Sequence, residues 1–182
     1  MSAAIEPMAG RHIEAVMAID GVSHSRQWSA AAWRKELAGA DRNHLVVVDD
    51  RTVVAHAGTL QLLDELHVTN VATHPEHRGR GHATRLLVDL LRAGAAAGAT
   101  AATLEVRAAD RATHRVYARL GFAPAGIRPG YYSAPTDDAL IMWLDDLRSP
   151  ASQARINEVA AAAATGPPAS DGPTSDERES SV

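Results

Sequence analysis

The fold of this chain is decided by one stretch, Asn70-Val-Ala-Thr-His-Pro-Glu-His-Arg-Gly-Arg-Gly-His-Ala-Thr-Arg-Leu-Leu87. Its pattern predicts the end of a strand, a tight loop rich in glycine and arginine, and the start of an amphipathic helix. The first N–H groups of a helix lack partners within the helix and lie at the positive end of its dipole. Gly79 and Gly81 carry no side chain that would keep an anion away from those donors. The loop therefore predicts a site for a pyrophosphate.

The residues after this loop predict a helix with one buried face, followed by a strand. Gly98 ends the helix, and residues 101–106 have the composition of a buried strand. A strand, loop, helix and strand in this order form a βαβ crossover, and open α/β sheets bind ligands at the carboxyl end of the first strand. An arginine-rich loop that only caps a surface helix is the alternative for the loop taken alone. The apolar positions that define the buried face are Ala83, Leu86, Leu87, Leu90, Leu91 and Gly94.

Composition limits the partners and the location of the protein. The 182 residues carry a formal net charge of −4 and contain no cysteine. The negative charge argues against a nucleic-acid partner, and the absence of cysteine excludes disulfides, thiolate metal sites and a cysteine nucleophile. No apolar run approaches roughly 18 residues and no signal-peptide pattern is present, so we expect a cytoplasmic protein without a membrane segment.

The composition changes near residue 149. From there to residue 182, Ser, Pro, Gly, Ala and charged residues dominate, and large apolar residues are scarce. Such a segment buries too little apolar surface to offset the entropy of ordering it. We therefore expect one domain over residues 1–148 and a disordered tail over residues 149–182, with at most a transient helix over 158–164.

The rest of the domain reads as alternating strands and helices. The order β-α-α-β-β-β-α-β-α-β-β predicts an α/β fold with a mixed sheet, in which antiparallel hairpins precede one central parallel pair. Ser29 is a predicted N-cap, and Gly121 a predicted helix stop. The other predicted elements are strands at 3–8, 44–48, 52–63, 65–73, 122–127 and 139–144, a turn at 49–51, and helices at 9–19 and 110–120.

The spacing Arg78-x-x-Gly81-x-Ala83 resembles the Q/R-x-x-G-x-G/A signature of the GNAT acetyltransferases, whose loop holds the pyrophosphate of acetyl-CoA. Neither the dinucleotide-binding G-x-G-x-x-G nor a Walker loop matches here. Transfer of an acetyl group to an amine needs a neutral amine and a proton for the departing thiolate. Glu105, which interrupts the apolar strand, and Tyr117, on the following helix, are the candidates for these proton transfers. A solvent-facing carboxylate and an ordinary core tyrosine are the alternatives.

Several ordered blocks resemble the RimI branch of this family, the N-terminal acetyltransferases of ribosomal protein alanine, over residues 5–147. The resemblance implies the GNAT fold, a mostly antiparallel sheet with one parallel pair splayed to hold acetyl-CoA and helices on both faces. It implies an acetyl-CoA-dependent enzyme acting on a protein N-terminus, with a small-subunit ribosomal protein as a candidate substrate. We expect no metal and no nucleic-acid partner. The blocks are Leu104-Glu105-Val106-Arg107, Tyr117-Ala118-Arg119-Leu120-Gly121-Phe122, Gly130-Tyr131-Tyr132 and Asp138-Ala139-Leu140-Ile141-Met142.

Carried over by position, the resemblance makes Glu105 the general base and Tyr117 the general acid. The pantetheine arm would be held by Val71, Ala72 and Thr73. The main-chain N–H of Val71 would also be the oxyanion donor. Trp28, Tyr131 and Tyr132 would contact the peptide. The remaining cofactor-binding residues implied are Arg78, Gly79, Arg80, Gly81, His82, Ala83, Thr84 and Asp110.

The chain departs from the family at Asp110, where an asparagine is usual. An ionised aspartate loses the amide donor and adds negative charge near the cofactor. His74, His77 and His82 are interpreted as solvent-exposed loop histidines rather than a metal site, because no carboxylate or cysteine completes a ligand set. Four carboxylates either line a cationic substrate's cleft or lie in exposed turns: Asp64, Glu65, Asp137 and Asp138.

Two other functions stay open at this stage. One is acetylation of a small-molecule amine or a lysine side chain, and the other is a CoA-binding module without turnover. Glu105 and Tyr117 favour an enzyme over a binding module, and the Gly-Tyr-Tyr segment favours a peptide over a small amine.

Overall fold

The computed structural model describes residues 3–23, 27–133 and 135–164. One seven-stranded sheet organises these residues, and five α-helices and two single 3₁₀ turns pack against it or connect its strands. In chain order the elements are β1 (Ala4–Pro7), α1 (Ile13–Ser23), α2 (Ala30–Leu37), β2 (Arg42–Asp49), β3 (Thr52–Leu62), β4 (Glu65–Thr73), α3 (His82–Ala96), β5 (Ala101–Arg107), α4 (Arg111–Leu120), β6 (Ala123–Ser133), β7 (Thr136–Leu144) and α5 (Pro150–Ala164).

The sheet has the strand order β1-β2-β3-β4-β5-β7-β6. All neighbouring strands are antiparallel except β4 and β5, which are joined by α3 and run parallel. The predicted mixed sheet with one central parallel pair is therefore confirmed. Ser29 caps α2 through its side chain, and Gly121 ends α4 in the left-handed conformation, as the sequence predicts.

Helices cover both faces of the sheet. Val46 and Val47 are neighbours on β2, so their side chains point to opposite faces. Val46 packs in a cluster with Trp33 and the residues of α1, whereas Val47 packs against Leu86 and Leu90 of α3. The helices α4 and α5 share the α3 side, where they join one continuous core with β4, β5 and β7.

The parallel pair separates before either strand ends. The pairing of β4 with β5 runs from Glu65 opposite Ala101 to Val68 opposite Leu104, and it stops there. The register of β3 against β4 shifts at the same level, because Gly58 lies opposite Asn70 whereas Thr59 lies opposite Val68. This bulge at Thr69 bends β4 away from β5. The carboxyl ends of the two strands therefore flank an open gap.

The predicted disorder from residue 149 is wrong for residues 150–164, which form α5. Ile156 is completely buried, Val159 is nearly so, and Ala160 packs beside them in the core. These residues lie on one helical face, and that small apolar stripe is enough to dock an alanine-rich helix. The Ser149-Pro150 pair is a sequence signal for the start of this helix. In the structure Ser149 accepts a hydrogen bond from the N–H of Ser152, and Pro150 occupies the first helical position. The predicted disorder of residues 165–182 lies outside the described residues.

None of the helices in the described ranges is long and apolar enough to cross a membrane.

Candidate active site

The glycine-rich loop lies at the carboxyl end of β4 and opens α3. Gly79 and Gly81 have φ angles of +75° and +77°, which side chains disfavour, and Gly81 is the N-cap of the helix. The first intrahelical bond joins the N–H of Arg85 to the carbonyl of Gly81 at 3.0 Å. The N–H groups of His82, Ala83 and Thr84 therefore have no helical partner, and they form a donor cluster suited to an anion.

The two arginines of this loop hydrogen-bond to the segments that flank it. The Nε of Arg78 donates to the carbonyl of Thr73 at 3.2 Å, and its Nη2 lies 3.5 Å from the Ser23 hydroxyl of α1. Arg80 donates to the carbonyl of Glu76 at 3.3 Å. Both arginine side chains are exposed and next to the donor cluster, so their charge favours an anion there.

The main chain of β4 supplies further donors along the gap. His74 donates its N–H to Val54 of β3, at 2.9 Å. Because N–H groups alternate in direction along a strand, those of Val71 and Thr73 point to the other side, toward β5. No pairing with β5 uses them, since the parallel ladder ends at Val68. Val71 and Thr73 thus present free backbone donors along one wall of the gap.

Tyr117 extends from α4 and is 6% exposed. Its ring packs edge-on against Phe122, and its hydroxyl has no hydrogen-bond partner among the described residues. Burial raises the pKa of Tyr117 well above its ordinary value, and the nearby Asp110 and Tyr132 raise it further. The phenol is therefore protonated at neutral pH, as a proton donor must be.

Asp110 is the N-cap of α4 rather than a free cleft side chain. Its Oδ1 accepts the N–H of Thr113 at 3.0 Å, and its Oδ2 accepts the Thr113 hydroxyl at 2.6 Å. Both carboxylate oxygens already have partners, so the capping role accounts for an acidic residue here.

Glu105 lies on the opposite face of β5 from the core residues Leu104 and Val106. Its Oε1 is 3.0 Å from the Nε of Arg128, which is on β6. About a quarter of the Glu105 side chain is exposed, at 27%. A carboxylate at the end of β5 that faces solvent on one side is placed to receive a proton.

Four further side chains surround Glu105, and we call all five the arginine–tyrosine cluster. The guanidinium of Arg107 lies 4.2 Å from the Tyr132 ring centre, and that of Arg128 lies 5.8 Å from the Tyr131 ring centre. The two tyrosine rings meet edge to face, with centres 5.1 Å apart. Burial raises the pKa of Tyr132, and the Tyr131 and Glu105 beside it add to the shift while Arg107 opposes it. The predicted base and two of the predicted substrate residues therefore form one connected group.

The third predicted substrate residue has different neighbours. Trp28 packs against Trp33, with ring centres 4.9 Å apart, at the edge of the apolar cluster that Trp33 forms with Val46 and residues of α1. Its contact with a peptide stays a prediction.

Sequence reasoning assigned no role to Arg107 and Arg128. One signal was available for Arg107, because alternation along β5 puts it on the same face as Glu105. No local pattern identifies Arg128, whose partner Glu105 lies on a strand that is separated from β6 by β7.

The histidines and the turn carboxylates also have defined environments. His82 is 6% exposed, which corrects its interpretation as a solvent-exposed loop residue, and burial lowers its pKa so that the ring is neutral. Among residues 3–23, 27–133 and 135–164, no three His, Asp or Glu side chains are grouped to hold a metal. Asp64 accepts a hydrogen bond from Thr100 at the amino end of β4, far along the strand from the loop. Asp137 and Asp138 accept backbone N–H bonds from Ala109 and Gly130.

These features fit a CoA thioester. The unpaired N–H groups at the start of α3 suit a diphosphate, and the donors of Val71 and Thr73 suit an extended amide-bearing arm. Gly79 faces open space, since no atom lies within 4 Å of where a Cβ would stand. The gap between β4 and β5 connects this loop to Glu105 and the tyrosines.

Comparison with known proteins agrees with this arrangement. Residues 11–122 match the model of the Acetyltransferase (GNAT) family. The chain is 33% identical over 134 residues to the [ribosomal protein bS18]-alanine N-acetyltransferase of Salmonella typhimurium, covering 72% of this chain and 90% of that protein. It is 29% identical over 143 residues to the putative enzyme of that name from Bacillus subtilis, covering 78% of this chain and 95% of the relative.

A solved structure gives the same result. The ribosomal-protein-S18-alanine N-acetyltransferase from Escherichia coli superposes with a TM-score of 0.73 at 28% identity, covering 80% of this chain and 94% of that chain. Family match, relatives, fold and site geometry agree: the chain belongs to the GNAT family of acetyl-CoA-dependent N-acetyltransferases and is RimI-like.

Proposed function

We propose that this protein transfers the acetyl group of acetyl-CoA to the α-amino group of a protein N-terminus, with an N-terminal alanine of a ribosomal protein as the first candidate. The observation that carries the proposal is the gap between β4 and β5, which has backbone donors on one wall and the Glu105 carboxylate on the other. The names of the relatives support the choice of acceptor.

The chemistry divides among three groups of the protein. Bound acetyl-CoA supplies the thioester. Glu105 accepts the proton of the substrate ammonium, through water, so that the neutral nitrogen forms its bond to the acetyl carbon. The N–H of Val71 donates a hydrogen bond to the acetyl oxygen, where negative charge develops. Tyr117 donates a proton to the sulfur as the carbon–sulfur bond breaks, and the second proton of the nitrogen leaves as the amide forms, which returns the phenol to its protonated form.

The shape of the acceptor side favours a peptide over a small amine. Tyr131 is half exposed, at 51%. Together with the Arg128 side chain it forms an open rim beside Glu105, not an enclosed pocket. Several residues of an extended peptide fit such a rim, and we expect Tyr131 and Tyr132 to contact them.

Incubation with acetyl-CoA and peptides that differ at the first three positions tests this proposal, with acetylation read by mass. We expect modification of the α-amino group, greatest for alanine at position one. The control peptide carries a blocked N-terminus and an internal lysine. Acetylation of that peptide at an equal rate would favour a lysine acetyltransferase, and turnover of none would favour a small amine or a binding module.

Glu105→Gln tests the role of the base. The α-amino group has a pKa of about 7.7–8.0, so below that range the substrate is mostly protonated and needs the base. We expect a rate loss of at least about tenfold at pH 7 that becomes smaller at pH 9. A loss that does not depend on pH would assign Glu105 to substrate binding instead.

A further inference from the structure

The sheet register explains how Arg128 reaches Glu105 across β7. Arg107 of β5 and Arg128 of β6 both lie opposite Ala139 of β7, so the three side chains form one row on the same face. Glu105 lies two residues before Arg107 and shares that face. Ala139 is fully buried and small, which leaves the space above it to the two guanidinium groups.

The contact of Arg128 with Glu105 does not serve stability. More than half of the Arg128 side chain is exposed, at 57%, and ion pairs this exposed add little to the free energy of folding. The contact instead fixes one oxygen of the carboxylate. Oε1 lies 3.0 Å from Nε, and Glu105 has no other polar contact within the described part of the chain. The second oxygen is left to meet a water or the substrate.

Arg128 also connects the carboxylate to the rim where a peptide would lie. Its guanidinium lies 5.8 Å from the Tyr131 ring centre, and Tyr131 contacts Tyr132, which lies under Arg107. Arg107 in turn donates to the carbonyl of Pro135, at 2.9 Å. A shift of Arg128 would therefore move both the carboxylate and the tyrosine next to it.

We propose that Arg128 is a positioning residue of the acceptor site, which holds the Glu105 carboxylate in the orientation that receives the substrate's proton and keeps Tyr131 beside it. This inference rests on the proposed function. It adds a residue that acts through Glu105 and does not itself exchange a proton.

The test compares Arg128→Met, Arg128→Lys and Arg128→Gln with Arg119→Met, a matched control on the exposed side of α4. We expect Arg128→Met to lower kcat for the peptide by about tenfold, with KM for acetyl-CoA and the melting temperature unchanged. Arg128→Lys restores the charge without the planar fork, so it should recover part of kcat. Arg128→Gln should behave like Arg128→Met, and Arg119→Met like the wild type.

A double variant separates this inference from the proposed function. If Arg128 acts through Glu105, the variant with both Glu105→Gln and Arg128→Met should be no slower than Glu105→Gln alone. Additive losses, equal rates for Arg128→Lys and Arg128→Met, or a loss that follows the melting temperature would each overturn the positioning role. If Glu105→Gln is slow and Arg128→Met is normal, only this inference fails. If Glu105→Gln is as fast as the wild type, the proposed base and this inference fail together.

Discussion

The two sides of the gap between β4 and β5 are built in different ways. On the β4 side, one continuous segment, residues 71–84, supplies backbone N–H groups and two glycines with positive φ. On the β5 side, the arginine–tyrosine cluster takes side chains from β5 and β6, which are held in register by β7. The first side depends on local conformation and the second on long-range pairing. Substitutions should therefore affect cofactor binding on one side and turnover on the other.

Gly81→Val should have the largest effect, because it changes the side that depends on conformation. A β-branched residue is strained at a φ of +77°, so the N-cap of α3 and its donors would move. We expect loss of CoA binding by calorimetry in a protein that still folds. Gly98→Val is the matched control, since Gly98 has a φ of +103° beyond the other end of α3. It should lose stability and keep CoA affinity, and a folded Gly81→Val protein with normal affinity would contradict the assignment.

The same contrast explains how much could be predicted from the sequence. The predicted strand 65–73 coincides with β4, and the loop followed from Gly79 and Gly81, because these features depend on neighbouring residues. Glu105 was a candidate because it interrupts an apolar strand, and Tyr117 because it lies on the next helix. The family resemblance gave each its role, and those roles stay predictions. Arg128 could not be assigned, because its row with Ala139 exists only once β5, β7 and β6 are in register. The sequence did not predict α5, because Ile156 and Val159 are the large apolar residues on its buried face and the rest of that face is mostly alanine.

Ile156→Ala tests whether α5 stabilises the core that supports both sides of the gap. Ile156 is completely buried in the core that α5 shares with α3, which carries the loop, and α4, which carries Tyr117. Removing its side chain should cost about 2–5 kcal/mol of unfolding free energy. Denaturant unfolding measures this, with Glu158→Ala on the exposed face of α5 as a control that should change stability by less than about 0.5 kcal/mol. Equal stability of the two variants would mean that α5 does not dock in solution.

Tyr117→Phe should separate turnover from cofactor binding. The substitution removes one hydroxyl that has no partner in the described structure, so stability should hold. We expect kcat to fall on the order of 10²-fold with little change in acetyl-CoA affinity, because the proton donor to the sulfur is lost. Tyr132→Phe keeps the ring over which Arg107 lies and should lose much less. If Tyr117→Phe turns over at the wild-type rate, Tyr117 is a core residue and another group protonates the thiolate.

Asp110→Asn should have the smallest effect, and it tests whether the residue that caps α4 also influences cofactor binding. Asn is as good an N-cap as Asp, so the cap on Thr113 should survive and stability should change by less than about 0.5 kcal/mol. Removing the charge also removes repulsion of an anionic cofactor, and the amide adds a donor that the carboxylate lacks. We therefore expect acetyl-CoA affinity to rise a few-fold by calorimetry while kcat stays within about twofold. Asp110→Ala is the contrast, because it removes charge and cap together and should cost about 1 kcal/mol of stability. If Asp110→Asn leaves affinity unchanged while Asp110→Ala lowers only stability, Asp110 is a helix cap alone and the cofactor is bound without it.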